Sequence, residues 1–237
     1  MPAFPDPSDP ACAVQWPLPP QPGANHAPIS VDVPRQAPLR VGVMASGAGS
    51  NFEALVQACR GGSPWAEVVL LVVNTPGCGA QTRAERLGVP CQIHDHRAHP
   101  DRTSLDRALI RAFLGAGVEL VVMAGWMRIV TPELITAFPD RLVNIHPSLL
   151  PSFRGVDAVG QALAAGVTLA GCTAHLVSEE VDAGRILVQA AVPVLPGDGR
   201  LSLAARIHRQ EHRILPLAVQ LAAERLGLLS PAGSPQG

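Results

Sequence analysis

The sequence predicts an α/β fold: a mostly parallel sheet with helices on both faces and an antiparallel extension at its C-terminal end. Three observations lead there. From Leu39 onward, short runs rich in Val, Ile and Leu alternate with amphipathic stretches of helical length, the pattern of strands buried on both faces. After about residue 156 the rhythm changes, and two strand-like runs follow each other through a short connection that allows antiparallel pairing. With 237 residues and 47% hydrophobic content, the chain is large enough to bury one α/β core.

The elements follow in order. Residues 1–38 are Pro-rich with neither helical nor strand period, so a disordered N-terminal extension is expected there. The domain is expected over 39–229. LRVGVMA (39–45) reads as the first strand and NFEALVQACR as the first helix. AEVVLLVVN (66–74) is the second strand, CGAQTRAERLG a helix ending at Gly88, and VPCQI the third strand. A helix over 103–115 leads to VELVVMAG (118–125), the fourth strand. TPELITAF is a short helix with Thr131 as N-cap and Pro132 at its first position. RLVNIH closes the parallel series. A helix near 158–165, strands in GCTAHLVS and RILVQAAVPV, and a helix over 201–226 complete the domain; 230–237 reads as a flexible tail. The alternation makes the sheet Rossmann-like, and such sheets bind ligands beyond the carboxyl ends of their strands.

Composition narrows the functional classes. A net charge of −1 with no Lys/Arg cluster argues against a nucleic-acid surface. No apolar stretch reaches the roughly 18 residues of a membrane-spanning helix, and no signal-peptide pattern opens the chain. Five cysteines without CxxC spacing read as free thiols, which suits a cytoplasmic protein.

Two loops invite ligands. In SGAGSN (46–51), glycines let the backbone curl so that N–H groups converge on an anion over a helix N-terminus. A dinucleotide is opposed by Phe52 where GxGxxG needs its third glycine, and by Asn74–Thr75 where the ribose-binding acid should stand. A single-phosphate site remains, beside the plainer reading of a tight turn. MAGWMRIVTP (123–132) offers Trp126, Met127, Ile129 and Val130 either to the core or to a flat ring ligand.

NIHPSLLP (144–151) is sharper. Residues two apart on a strand share a face, so Asn144 and His146 project together at the sheet's binding edge. A later loop, SEEVDAGR, carries Asp182, and a carboxylate beside an imidazole fixes its tautomer and favours its charged form. Amide, imidazole and carboxylate together suit a carbonyl that becomes a tetrahedral oxyanion while a proton moves between nitrogens. Ser148 and Ser152 lack a Gly-x-Ser-x-Gly elbow, so a serine nucleophile is not expected. HDHRAHP (94–100) groups three histidines without a second ligand cluster, and no metal is expected. His175 reads as support for the sheet.

In their order along the chain, SGAGSN, AGWMRIVTP, NIHPSLLP, GCTAHLVSEEVDAGRI, VPVLPGD and RQEHRILP resemble the phosphoribosylglycinamide formyltransferases, folate-dependent enzymes of purine synthesis, over roughly 39–226. The resemblance implies that Gly49, Ser50 and Asn51 hold the phosphate of glycinamide ribonucleotide and that Glu211, which alone would read as an exposed charge, contacts its glycinamide portion. It implies that Arg102 and Met127, Arg128, Ile129 and Val130 serve the cosubstrate 10-formyltetrahydrofolate. Asn144 would donate to the formyl oxygen, His146 would be the proton donor, and Asp182 would raise its pKa. No metal is required.

Some positions depart from the family pattern. Asp157 stands where a histidine is common, Arg185 where DxGP is usual, and His208 where Gln is frequent. The Arg154–Gly155 pair resembles the methionyl-tRNA formyltransferase branch, but no residues remain for that branch's C-terminal domain. Alternatives are a formyltetrahydrofolate hydrolase, whose relatives lack the SGxGSN loop, and a non-catalytic nucleotide- or folate-binding protein, which would not need the Asn144, His146 and Asp182 set.

Overall fold

A computed structural model describes residues 15–17 and 37–229. The elements are β1 (Gln15–Pro17), β2 (Leu39–Ala45), α1 (Ser50–Arg60), β3 (Ala66–Val73), α2 (Gly79–Leu87), β4 (Cys91–Ile93), α3 (Arg102–Gly115), β5 (Leu120–Met123), α4 (Pro132–Ala137), β6 (Leu142–His146), α5 (Ala158–Ala165), β7 (Leu169–Leu176), β8 (Ile186–Pro193) and α6 (Arg200–Arg225). One sheet runs in the order β1-β8-β7-β6-β5-β2-β3-β4. Neighbours from β6 to β4 pair in parallel. β7 and β8 turn antiparallel, as the loss of the helical connection between them requires.

Strand alternation divides the core. Leu39, Val41, Val43 and Ala45 of β2 face one side with α1, α2 and α6, while Met44 joins Leu105, Leu109 and Phe113 of α3 on the other. Gly42 keeps this second face clear: a Cβ there would lie 2.6 Å from Phe113 Cδ1. On β3 the parity changes, with Val68, Leu71 and Val73 on the α6 side and Leu70 and Val72 opposite. A register irregularity at Val41/Gly42 accounts for the switch.

Two expectations need revision. The N-terminal extension contains a short strand: Gln15–Pro17 pairs with Ala190, Gln189 and Val188 at the sheet edge. Pro17 ends the segment, in keeping with the tolerance of edge strands for a residue without an N–H. The rest of 1–36 and the tail 230–237 lie outside the described residues. Thr131 does occupy the N-cap of α4, but its side chain makes no capping bond and its Oγ1 is buried without a hydrogen-bond partner among the described residues.

Candidate active site

The odd residues of β6, Val143 and Ile145, belong to the α6-side core, so Asn144 and His146 project from the opposite face. Antiparallel pairing sets Asn144 beside His175 and His146 beside Thr173 of β7. Asp182, on the loop between β7 and β8, completes the group. His146 Nδ1 lies 3.3 Å from Asp182 Oδ2, and His146 Nε2 lies 2.9 Å from the Phe153 carbonyl. A carbonyl only accepts, so Nε2 carries a hydrogen and Nδ1 is the nitrogen turned to the carboxylate.

His175, read from sequence as sheet support, belongs to this group. Its Nδ1 donates to Leu176 O at 2.8 Å, and its Nε2 lies 3.1 Å from Asn144 Nδ2 and 3.6 Å from Asp182 Oδ1. Asn144 Nδ2 also faces Asp182 Oδ1 at 3.4 Å. These bonds orient the amide. The sequence signal for His175 was the alternation of β7: Ala174 and Leu176 belong to the core, so His175 points the other way.

Burial pushes the Asp182 carboxyl up, but the His175 hydrogen bond, the Gly155 N–H and the charges of His146 and His175 outweigh it. Its pKa therefore lies below the ordinary carboxylate value. The Gly155 N–H reaches Oδ2 at 2.8 Å. Asp182 itself adopts a left-handed backbone with φ 51°, a sparsely populated conformation that persists where surrounding bonds impose it. The loop after β6 is pinned from below: Thr173 Oγ1 donates to Ser148 O and accepts from Leu150 N. Ser148 Oγ donates to Ser152 O, a structural use of this hydroxyl.

A second group lies at the start of α1. Gly49 precedes the helix with φ 78°, and a Cβ there would meet Ala80 Cα at 2.5 Å, so the position needs glycine in both conformation and space. Ser50 opens α1 and Asn51 is buried beside it. Asn51 Nδ2 donates to Glu211 Oε2 at 2.8 Å, and His208 Nδ1 lies 2.7 Å from the same oxygen. Glu211 is only 2% exposed, which overturns its reading as a surface charge. The Glu211 hydrogen bond raises the His208 pKa above its ordinary value, against the smaller effect of burial. The buried carboxylate thus lies between an amide and an imidazole, with Oε1 uncommitted among the described residues.

The segment after β5 divides. Trp126 is 7% exposed and belongs to the core, one of the two readings open to it, whereas Met127 and Ile129 are 77% and 54% exposed. Val130 packs partly on the core. Arg102 opens α3 and Arg128 is exposed between the two apolar side chains. One residue escaped the sequence reading: Asp106, buried on α3, accepts the Thr131 N–H at 2.6 Å. Burial raises its pKa. An acid beside Leu105, one turn from Arg102 and Leu109, was the available signal.

The departures divide. His208 stands on the Glu211 carboxylate and Gly155 donates to Asp182, whereas Asp157 caps α5 through Gly160 N and pairs with Arg200, and Arg154 Nη1 pairs with Glu180 at 2.6 Å. Arg185 lies beyond these contacts, close enough to Arg225 to act on its charge. In HDHRAHP, His96 Nδ1 lies 3.0 Å from Asn74 O. Among the described residues no three His, Cys, Asp or Glu side chains gather around a metal-sized space.

Residues 39–219 match the family described as formyl transferase. The chain is 43% identical over 195 residues to the trifunctional purine biosynthetic protein adenosine-3 of Gallus gallus, covering 82% of this chain but 19% of that protein. It is 38% identical to phosphoribosylglycinamide formyltransferase of Bacillus subtilis, covering 75% of this chain and 91% of the relative. A solved structure of glycinamide ribonucleotide transformylase 1 from Symbiobacterium toebii superimposes with a TM-score of 0.77 at 44% identity, covering 79% of this chain and 89% of that one.

Proposed function

The chain belongs to the formyl transferase family, and on that premise we propose that it transfers the formyl group of 10-formyltetrahydrofolate to the amine of glycinamide ribonucleotide, a step of purine biosynthesis. The observation that carries this reading is the group at the end of β6: one amide and one imidazole on a single face, both turned to one carboxylate. Gly49, Ser50 and Asn51 bind the phosphate of the ribonucleotide, and Glu211 Oε1 takes its glycinamide portion. The apolar surface of Met127 and Ile129 receives the pterin, flanked by Arg128, Val130 and Arg102. A flat ring fits the exposed apolar side chains of Met127 and Ile129, and exposed Arg128, between them in sequence, suits an anionic tail.

The reaction follows from these placements. The ribonucleotide amine attacks the formyl carbon, and the carbonyl oxygen becomes an oxyanion. Asn144 Nδ2 and a His146 N–H donate to that oxygen, so its charge develops against donors already in place. To reach it, Asn144 and His146 exchange contacts within their own cluster for the substrate oxygen. Asp182, whose carboxyl is held below its ordinary pKa, keeps a carboxylate against His146 Nδ1. The attacking nitrogen then loses a proton, the leaving folate nitrogen gains one, and the formyl carbon–nitrogen bond to the folate breaks. Holding both substrates in one cleft supplies much of the rate.

A cytoplasmic setting suits the thiols: Cys59 and Cys172 are free and buried, and burial pushes Cys59 up to about 12. Incubating the protein with 10-formyltetrahydrofolate and glycinamide ribonucleotide, and following the deformylated folate by absorbance, tests the reading. Formyl transfer that requires the ribonucleotide is expected. Steady release of formate without transfer would establish the hydrolase alternative instead.

A further inference from the structure

β2 and β5 are parallel neighbours, and their ladder continues beyond both strands. Ala124 N donates to Met44 O at 2.9 Å, and Ser46 N donates to Gly125 O at 3.1 Å. Gly125, with φ 81°, then turns the chain out of the sheet. The next rung is made by a side chain: Met127 N donates to Ser46 Oγ at 2.9 Å. Ser46 thus closes the last bond between the SGAGSN loop and the exposed segment 127–130.

The two ends of this connection are unequal. The SGAGSN loop is braced from its other side, where Ala80 N donates to Gly47 O at 3.0 Å and Arg83 Nε donates to Ala48 O at 2.8 Å. The segment 127–130 is held at its far end by the bond from Thr131 N to Asp106. Its near end rests on the Ser46 hydroxyl. Asp106 ties the segment to α3, whereas Ser46 ties it to the loop that precedes α1.

We propose that Ser46 is a positioning residue: its hydroxyl locks the folate-binding segment to the ribonucleotide loop and so sets the spacing of the two substrates. This rests on the assignment of SGAGSN to the ribonucleotide and of 127–130 to the folate. Direct transfer requires amine nitrogen and formyl carbon at about 3–3.5 Å, and a misplacement of about 1 Å can cost two orders of magnitude in rate. Each substrate keeps its own binding surface when the hydroxyl is removed. What is lost is their mutual placement, so the defect falls on kcat. A formyl group held away from the amine remains open to water, which adds to the formyl carbon; the carbon–nitrogen bond breaks, the folate nitrogen takes a proton, and formate leaves.

The test compares wild type, Ser46→Ala and Ser46→Thr for kcat, both KM values, and the division of formyl between ribonucleotide and water. Ser46→Ala is expected to lower kcat for transfer about tenfold, with each KM within about twofold, and to raise the share of formyl released as formate. Ser46→Thr, which keeps a hydroxyl on Cβ, is expected to restore most of the transfer rate and the original division. Wild-type kcat and division in Ser46→Ala would overturn the inference, as would a Thr variant no better than Ala. Absence of transfer by the wild-type protein would overturn the functional reading, and this inference with it.

Discussion

Asp182 gathers four nitrogens at its two oxygens: Oδ2 takes the Gly155 N–H and faces His146 Nδ1, while Oδ1 faces Asn144 Nδ2 and His175 Nε2. Asp182→Asn keeps the shape but replaces one acceptor with a donor and removes the negative charge beside His146 Nδ1. Turnover is expected to fall about a hundredfold or more, with the unfolding temperature little changed, as steady-state rates and thermal melts would show. Near-normal turnover would remove Asp182 from the chemistry. Asn144, His146 and Asp182 were legible in the sequence because a strand's two-residue period places the first two on one face and an acidic loop offers the third. His175 was obscure because its part depends on cross-strand register with β6, and Glu211 because its burial depends on α1 packing against α6. Neither relation has a local trace in sequence.

The strands and helices were legible to within a few residues because each carries its own apolar period. The connections were less so. Between β8 and α6, Asp198 forms a two-pronged pair with Arg206, Oδ2 to Nη1 at 2.6 Å and Oδ1 to Nη2 at 3.2 Å, and both side chains are buried. Arg206 also donates to Pro193 O, so the pair joins the end of β8 to the first turns of the helix that carries His208 and Glu211. The Arg206 hydrogen bonds hold the Asp198 carboxyl down to about 2, against an ordinary 3.8. A depressed folded-state pKa contributes stability that is full above the unfolded value and disappears as pH falls through the folded one. Asp198→Asn is therefore expected to lose about 3 kcal/mol at neutral pH, since it strands a buried guanidinium. The deficit against wild type should shrink as pH drops from 3.8 towards 2, read from urea midpoints across that range. A deficit independent of pH would assign the loss to packing.

At the scale of the molecule, the sequence carried the parallel core, the antiparallel return and their order, because a run buried on both faces implies helices above and below it. It did not reveal that the sheet reaches back to Gln15–Pro17, since three residues ending on a proline have no period to read. That edge has a kinetic meaning. β4, at the opposite margin, pairs with β3 nearby in sequence, while β1 must wait for β8, most of the chain away. Closing so long a loop delays the contact rather than weakening it greatly. During synthesis β1 emerges before β8 by most of the domain, is among the last of the described strands to find its partner, and the sheet is sealed from the inside outward. Pulsed hydrogen exchange during refolding should find the Gln15 and Trp16 amides protected after those of β2, β3 and β5; simultaneous protection would mean that the margin closes with the core.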